Sequence, residues 1–175
     1  MSMEFAILDS LQKIHTPMLD TIMTSVTKLG NSGIIWILTG IVLLCIPKYR
    51  KGGVLVMLAL ILNLILGNLI LKNLIARERP CWIKDGIELL IAVPRDYSFP
   101  SGHTMSGFAA ATAIWFTEKR LGIAAFLLAA LIGFSRLYLY VHFPTDVLAG
   151  AVLGILVGIA AKGLLGMKKI KQNTK

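Results

Sequence analysis

Long apolar runs separated by short polar intervals dominate the chain. Four of them, over residues 53–71, 103–117, 121–141 and 147–167, approach the roughly 20 residues that a helix needs to cross a bilayer. A fifth, Gly33 to Pro47, is shorter but extends back toward Asn31. Residues 4–29 differ. There Leu8, Leu11, Met18, Leu19, Ile22, Met23 and Val26 recur at helical spacing among Glu4, Asp9, Lys13, Asp20 and Lys28. This pattern predicts interfacial amphipathic helices broken at Pro17, with a tilted sixth span as the alternative. The expected fold is an all-α, polytopic transmembrane helix bundle of five to six spans with amphipathic N-terminal helices over residues 1–30. Nothing interrupts it, neither a Ser/Pro linker nor a fixed-period repeat, so residues 1–175 read as a single membrane-embedded domain.

Composition supports a bilayer as the solvent. Hydrophobic residues make up 56% of the chain and charged ones 15%, too apolar a balance for an ordinary soluble domain. The net charge of +9 suggests nucleic acid, but its distribution excludes that class. The basic residues fall in three groups between apolar runs: Lys48, Arg50 and Lys51; Lys119 and Arg120; and Lys168, Lys169, Lys171 and Lys175. Even numbers of spans separate these groups, so one orientation puts all three in the cytoplasm, including a basic tail over 168–175. The 72–102 connection and the 142–146 turn then lie outside.

Smaller features add detail. The N-terminus lacks a basic n-region and a compact apolar h-region, so no cleavable signal peptide is expected. Cys45 and Cys81 fall at opposite faces, which predicts no disulfide and no metal site. In the 81–99 connection, Trp82, Tyr97 and Phe99 suit a headgroup-level aromatic belt, and GIELLIA reads as a short helix lying on the membrane. An interfacial loop is the plain reading of this segment; a lid over the lipid's path is the sharper one. The Gly150, Gly154, Gly158 stripe predicts close helix packing within one molecule, ahead of self-association.

Three segments carry chemistry, all at the outer face. Lys72 and Arg79 are seven residues apart, two helical turns, and are expected on one helix face. Phe99-Pro-Ser101-Gly102-His103 opens an apolar helix, with Ser101 as N-cap and Gly102 letting a ligand reach the backbone. Such a terminus is an anion site. In Ser135-Arg136-Leu-Tyr-Leu-Tyr-Val-His142-Phe-Pro-Thr-Asp146, Arg136 needs a partner at membrane depth. Pro144 makes a helix-to-helix corner at which Asp146 can accept from one nitrogen of His142 and leave the other free as nucleophile or base.

Together these give three cations, one helix N-terminus, two histidines and one carboxylate. The other nearby acids, Glu78, Asp85, Glu88 and Asp96, lie in or beside the loop. A site so poor in acids suits phosphate and repels a divalent metal, which predicts metal-independent phosphoryl transfer. A non-catalytic transporter or flippase for anionic lipids would use the same cations, but it needs neither His103 nor the His142–Asp146 pair.

These segments resemble the signature of the phosphatidic acid phosphatase type-2 superfamily, K-x6-RP, PSGH and SR-x5-H-x3-D, here K-NLIARE-RP, PSGH and SR-LYLYV-H-FPT-D. The motifs occupy residues 72–146, and every defining position is matched. The resemblance implies that His142 attacks phosphorus and is transiently phosphorylated, that Asp146 orients it, and that His103 protonates the leaving oxygen. Lys72, Arg79, Arg136, Ser101 and the Gly102 amide would hold the non-bridging oxygens, with no cofactor. It also implies a multi-pass plasma-membrane lipid phosphatase with an extracytoplasmic site. Undecaprenyl diphosphate, hydrolysed in recycling the polyprenyl carrier of wall synthesis, is the favoured substrate, with phosphatidylglycerophosphate or phosphatidate as alternatives.

Overall fold

The computed structural model describes residues 3–166 and contains no strand among the described residues. Two short helices come first, α1 (Met3–Gln12) and α2 (Pro17–Leu29). Pro17 occupies the first position of α2, where its missing N–H costs nothing, and the Thr16 hydroxyl caps that end by accepting from the Leu19 N–H at 3.3 Å. Ser32 and Gly33, both left-handed (φ 51° and 69°), bend the chain into α3 (Ile34–Cys45). Then α4 (Arg50–Asn63) continues through a π-helical stretch, Leu64–Leu71, into α5 (Lys72–Ile75). A short α6 (Pro80–Ile83) precedes the outer connection, and α7 (Gly102–Thr117), α8 (Lys119–Tyr138) and α9 (Pro144–Leu164) complete the bundle.

Three helical stretches are long and apolar enough to cross a membrane: Pro47–Ile83, Lys119–Tyr138 and Pro144–Leu164. Pro17–Leu29 and Asn31–Cys45, bent by 46°, pass together as one broken span. By length and composition the described residues thus hold three or four spans, fewer than the five to six expected. The difference lies in α7 and α3, which at 16 and 12 residues are each too short to count alone.

Helix α7 forms the centre of the bundle and packs against α4, α8 and α9. Its Ala109, Ala110, Ala111 and Ala113 are fully buried, because small side chains let three neighbours approach at once. The glycine stripe of α9 meets it directly, as expected. A Cβ built on Gly150 would stand 2.9 Å from the Ser101 carbonyl oxygen, and one on Gly154 would collide with the Met105 carbonyl oxygen. Backbone cannot yield as a flexible side chain can. Gly154→Val should therefore lower stability by about 1–3 kcal/mol, read as a fall in Tm in detergent. Gly163→Val, facing nothing within 4 Å, is the control. Equal Tm in the two variants would contradict this packing.

The two ends of the bundle differ in character. Gly52 lies against Thr117, so the α3–α4 and α7–α8 turns, which carry Lys48, Arg50 and Lys51 and Lys119 and Arg120, share one end of the bundle. The third basic group, in the 168–175 tail, lies outside the described residues. At the other end α1 packs on the α8–α9 corner, with Leu8 buried against Tyr140 and Phe143. The acids of the N-terminal helices face protein there rather than water alone. Asp9 accepts from Tyr140 Oη and Lys84 Nζ, both at 2.7 Å, and Asp20 accepts from Tyr138 Oη at 2.5 Å.

The helix expected over GIELLIA does not form. Gly86 takes φ 78°, after which half-buried Ile87, Leu89 and Ile91 alternate with exposed Glu88, Leu90 and Ala92. That is the period of extended chain. Its inward side chains pack on Leu8, Tyr140 and Val141. Cys45 and Cys81 are both free thiols.

Candidate functional site

Six of the eight residues singled out in the sequence, Lys72, Arg79, Gly102, His103, Arg136 and His142, line one cavity of about 520 Å³. Ile37, Met57, Leu60, Ile61 and Leu64, on α3, α4 and the start of the π-helical stretch, give the same cavity an apolar wall. The other two, Ser101 and Asp146, are fully buried and stand behind the cavity wall.

Lys72 and Arg79 reach the cavity by a different route from the one their spacing suggested. The helix ends at Ile75, Ala76 turns left-handed (φ 47°), and Arg79 is extended (φ −82°, ψ 150°). Pro80 explains this, since its ring disfavours helical backbone at the preceding residue. The two cations therefore converge across a break, not along one helix face. Both hold Asp96: Lys72 Nζ donates to Oδ2 and Arg79 Nη2 to Oδ1 at 2.8 Å. Burial works to raise the Asp96 pKa, but the Lys72 bond and the two positive charges outweigh it and bring it to about 2. The site thus contains one more carboxylate than the motifs indicate, and it is fully ionised at neutral pH.

Arg79 is 2% exposed, and its donors are all engaged. Nε donates to the Asp96 carbonyl at 2.7 Å, and Nη1 to the Val141 carbonyl at 2.6 Å. Nη1 also faces His142 Nε2 at 3.0 Å. Burial, with the Arg79, Arg136 and Lys72 charges, pushes the His142 pKa well below its ordinary value. The ring is neutral at pH 7, so a lone pair is available on one nitrogen.

The Asp146 carboxylate accepts three hydrogen bonds. Oδ2 accepts from the Phe143 N–H at 2.8 Å and from Ser98 Oγ at 2.5 Å, and Oδ1 from Arg77 Nη1 at 2.7 Å. Direct contact with His142 is longer than expected, with Nδ1 and Oδ2 3.6 Å apart. Arg77 also joins Glu4 at 2.6 Å, and Glu4 accepts from the Thr145 N–H and hydroxyl, which ties α1 to this corner.

At the start of α7, Ser101 occupies the N-cap without forming a side-chain cap bond. Its Oγ accepts from Thr104 Oγ1 at 3.0 Å, and its N–H donates to the Asp146 carbonyl at 3.1 Å. It braces α7 against α9 instead of facing the cavity. Gly102 does face it, and a Cβ there would stand 3.2 Å from Asn68 Oδ1. His103 Nε2 lies 3.0 Å from Asn31 Oδ1, so its proton points to the amide oxygen. Arg136 is 4% exposed; Nη1 donates to Thr27 Oγ1 at 2.5 Å, and Nε has no partner in the protein. Asp96 and Ser98 lie a few residues before Pro100, and Arg77 lies inside the K-x6-RP segment, so their nearness to the motifs is legible in the sequence while their contacts are not. Thr27 and Asn31 carry no such signal.

The arrangement can bind an anion among buried cations and offers a neutral imidazole nitrogen toward it. Among the described residues, no group of three or more His, Cys, Asp or Glu side chains is placed to hold a metal ion.

Comparison with known proteins agrees with this chemistry. The sequence model of the PAP2 superfamily matches residues 52–169. Undecaprenyl-diphosphatase of Sulfolobus acidocaldarius is 32% identical over 163 residues, covering 90% of this chain and 77% of its own. Phosphatidylglycerophosphatase B of Bacillus subtilis is 35% identical over 167 residues, covering 86% and 77%. The crystal structure of Aquifex aeolicus LpxE aligns with a TM-score of 0.82 at 32% identity, over 93% of this chain and 96% of that one. With membrane-length apolar helices around a cationic cavity, the chain belongs to the PAP2 superfamily and is a membrane lipid phosphatase, a hydrolase of phosphoric ester bonds.

Proposed function

We propose that the chain hydrolyses undecaprenyl diphosphate to undecaprenyl phosphate and phosphate through a phosphohistidine on His142. One observation carries the histidine step: His142 Nε2 meets Arg79 Nη1, a group with no lone pair to offer, at the wall of a cavity lined by three cations. A terminal phosphate that replaces Asp96 at Lys72 and Arg79 comes to lie against that nitrogen. Arg136 Nε and the Gly102 amide supply further donors.

In the first step the Nε2–P bond forms and the bond from phosphorus to the bridging oxygen breaks. That oxygen takes the proton which His103 now directs at Asn31. Water then attacks phosphorus and returns a proton to His103, releasing phosphate and His142. Preorganised donors stabilise the accumulating charge, and the covalent intermediate divides one displacement into two. The apolar wall formed by Ile37, Met57, Leu60, Ile61 and Leu64 suits the prenyl chain.

In this reading the motif end faces the extracytoplasmic side and the shared basic turns face the cytoplasm, with the C-terminus on the cytoplasmic side. The spans are five: α3, α4 with its π-helical continuation, α7, α8 and α9. Helix α7 is shielded by its neighbours, so its 16 residues need not match the full bilayer thickness. Phosphatidylglycerophosphate is the second reading, favoured by the Bacillus subtilis relative.

Phosphate release by the purified protein in detergent, from undecaprenyl diphosphate, phosphatidylglycerophosphate and phosphatidate, tests the assignment. Fastest turnover of undecaprenyl diphosphate is expected; faster turnover of either glycerolipid would overturn that choice of substrate. Vanadate should inhibit by adopting a five-coordinate geometry on His142, and chelators should leave turnover unchanged. Loss of activity in chelator with recovery in magnesium would contradict metal independence, which rests on the cationic donor set.

A further inference from the structure

His142 and Asp146 do not meet directly: at 3.6 Å, their nearest nitrogen and oxygen exceed ordinary hydrogen-bond length. The Ser98 hydroxyl fills the gap, 3.3 Å from His142 Nδ1 and 2.5 Å from Asp146 Oδ2. Ser98 and Asp146 are fully buried, and His142 is 1% exposed. The neighbours fix the direction of every proton in this chain. Arg79 has only donors, so the His142 Nε2 that faces it carries the lone pair and Nδ1 carries the proton. Nδ1–H then donates to Ser98 Oγ, and the hydroxyl proton is left for Asp146.

The carboxylate does not need His142 to hold its place. Arg77 fixes Oδ1, and the Phe143 N–H fixes Oδ2. Ser98 is anchored separately, its N–H donating to the Arg77 carbonyl at 2.8 Å. Among the described residues, Ser98 Oγ is the partner within hydrogen-bond distance of His142 Nδ1.

Resting on the phosphohistidine reading above, the geometry points to Ser98 as the positioning residue that couples His142 to Asp146. It holds the tautomer that keeps the lone pair on Nε2, beside Arg79 at the cavity wall. As the Nε2–P bond forms and the leaving oxygen takes its proton from His103, the imidazole becomes cationic while keeping Nδ1–H. That proton bonds more strongly to Ser98 Oγ, and the hydroxyl carries the stabilisation on to the Asp146 charge. No proton need leave His142.

The test compares the full-length wild type with Ser98→Ala, Asp146→Asn and the double variant in detergent, using undecaprenyl diphosphate and inorganic phosphate as a product inhibitor. Loss of such a supporting contact is expected to lower kcat by about 10–100-fold. KM and the phosphate inhibition constant should stay within about twofold, because the cations that bind the anion are untouched. The double variant should be no slower than Asp146→Asn alone, since both substitutions cut one relay. Should Ser98→Ala fail to bind phosphate, Ser98→Thr, which keeps the hydroxyl, decides. Recovered kcat supports the role, and kcat no better than that of the alanine variant overturns it. Wild-type kcat in Ser98→Ala beside an inactive His142→Ala overturns the role of Ser98 and leaves the phosphatase mechanism standing. Equal activity in wild type and His142→Ala overturns that mechanism, and this inference with it.

Discussion

His142→Ala should reduce phosphate release by about 10⁴-fold or more, while the protein still binds its lipid. The alanine removes the nitrogen at which the covalent intermediate forms, and nothing nearby can replace it. Asp146 has its oxygens committed to Arg77, Ser98 and the Phe143 N–H, and His103 lies against Asn31. The anion clamp survives the substitution. Arg79 loses one of several partners and keeps Asp96 and the Val141 carbonyl. The expected result is therefore a collapse of kcat with KM changed little. It is checked by phosphate release against substrate concentration, beside a binding measurement on the same lipid. Turnover within about tenfold of wild type would mean that another group attacks phosphorus.

Arg136→Lys should cost roughly 10²–10³-fold in kcat/KM, the range seen when one preorganised donor to a developing charge is lost. The guanidinium does two things at once. Nη1 is committed to Thr27 on α2, and the buried Nε has no protein partner, leaving it for a phosphate oxygen. A lysine places one compact charge where a planar fork stood, so it can hold Thr27 or reach the phosphate but not both. Arg136→Ala should be more damaging still, because Thr27 then loses its donor inside the bundle. Steady-state kinetics of the two variants decide this, and near-normal turnover by the lysine variant would remove Arg136 from the oxygen clamp.

Periodicity and motif spacing carried the helices and most of the site because both are local properties. The apolar runs 121–141 and 147–167 anticipate α8 and α9 to within about three residues, and Pro17 marks the break between α1 and α2. The convergence of Lys72, Gly102, His103, Arg136 and His142 on one cavity follows from which helix ends share a face. The misreadings are tertiary. GIELLIA has helical composition, yet its alternating contacts with Leu8, Tyr140 and Val141 hold it extended. Glu4, Asp9 and Asp20 look like the wet side of an amphipathic helix, but Arg77, Lys84, Tyr138 and Tyr140 come from distant segments to meet them. Asp96 had no motif to mark it, and only folding brings it between Lys72 and Arg79. The same holds for Ser98, whose place between His142 and Asp146 depends on a loop path that its neighbours in sequence do not disclose.

The most direct test of the central claim is to trap the intermediate. The protein would be mixed with undecaprenyl diphosphate labelled in its terminal phosphate, quenched in alkali within milliseconds and mapped by mass spectrometry. A phosphoryl group that is stable in alkali, lost in acid and attached to His142 is the result predicted here. It should be absent from His142→Ala. Label released as free phosphate with no phosphorylated histidine at any quench time, under conditions where an added phosphohistidine standard survives, would contradict the covalent route and leave a single direct attack by water.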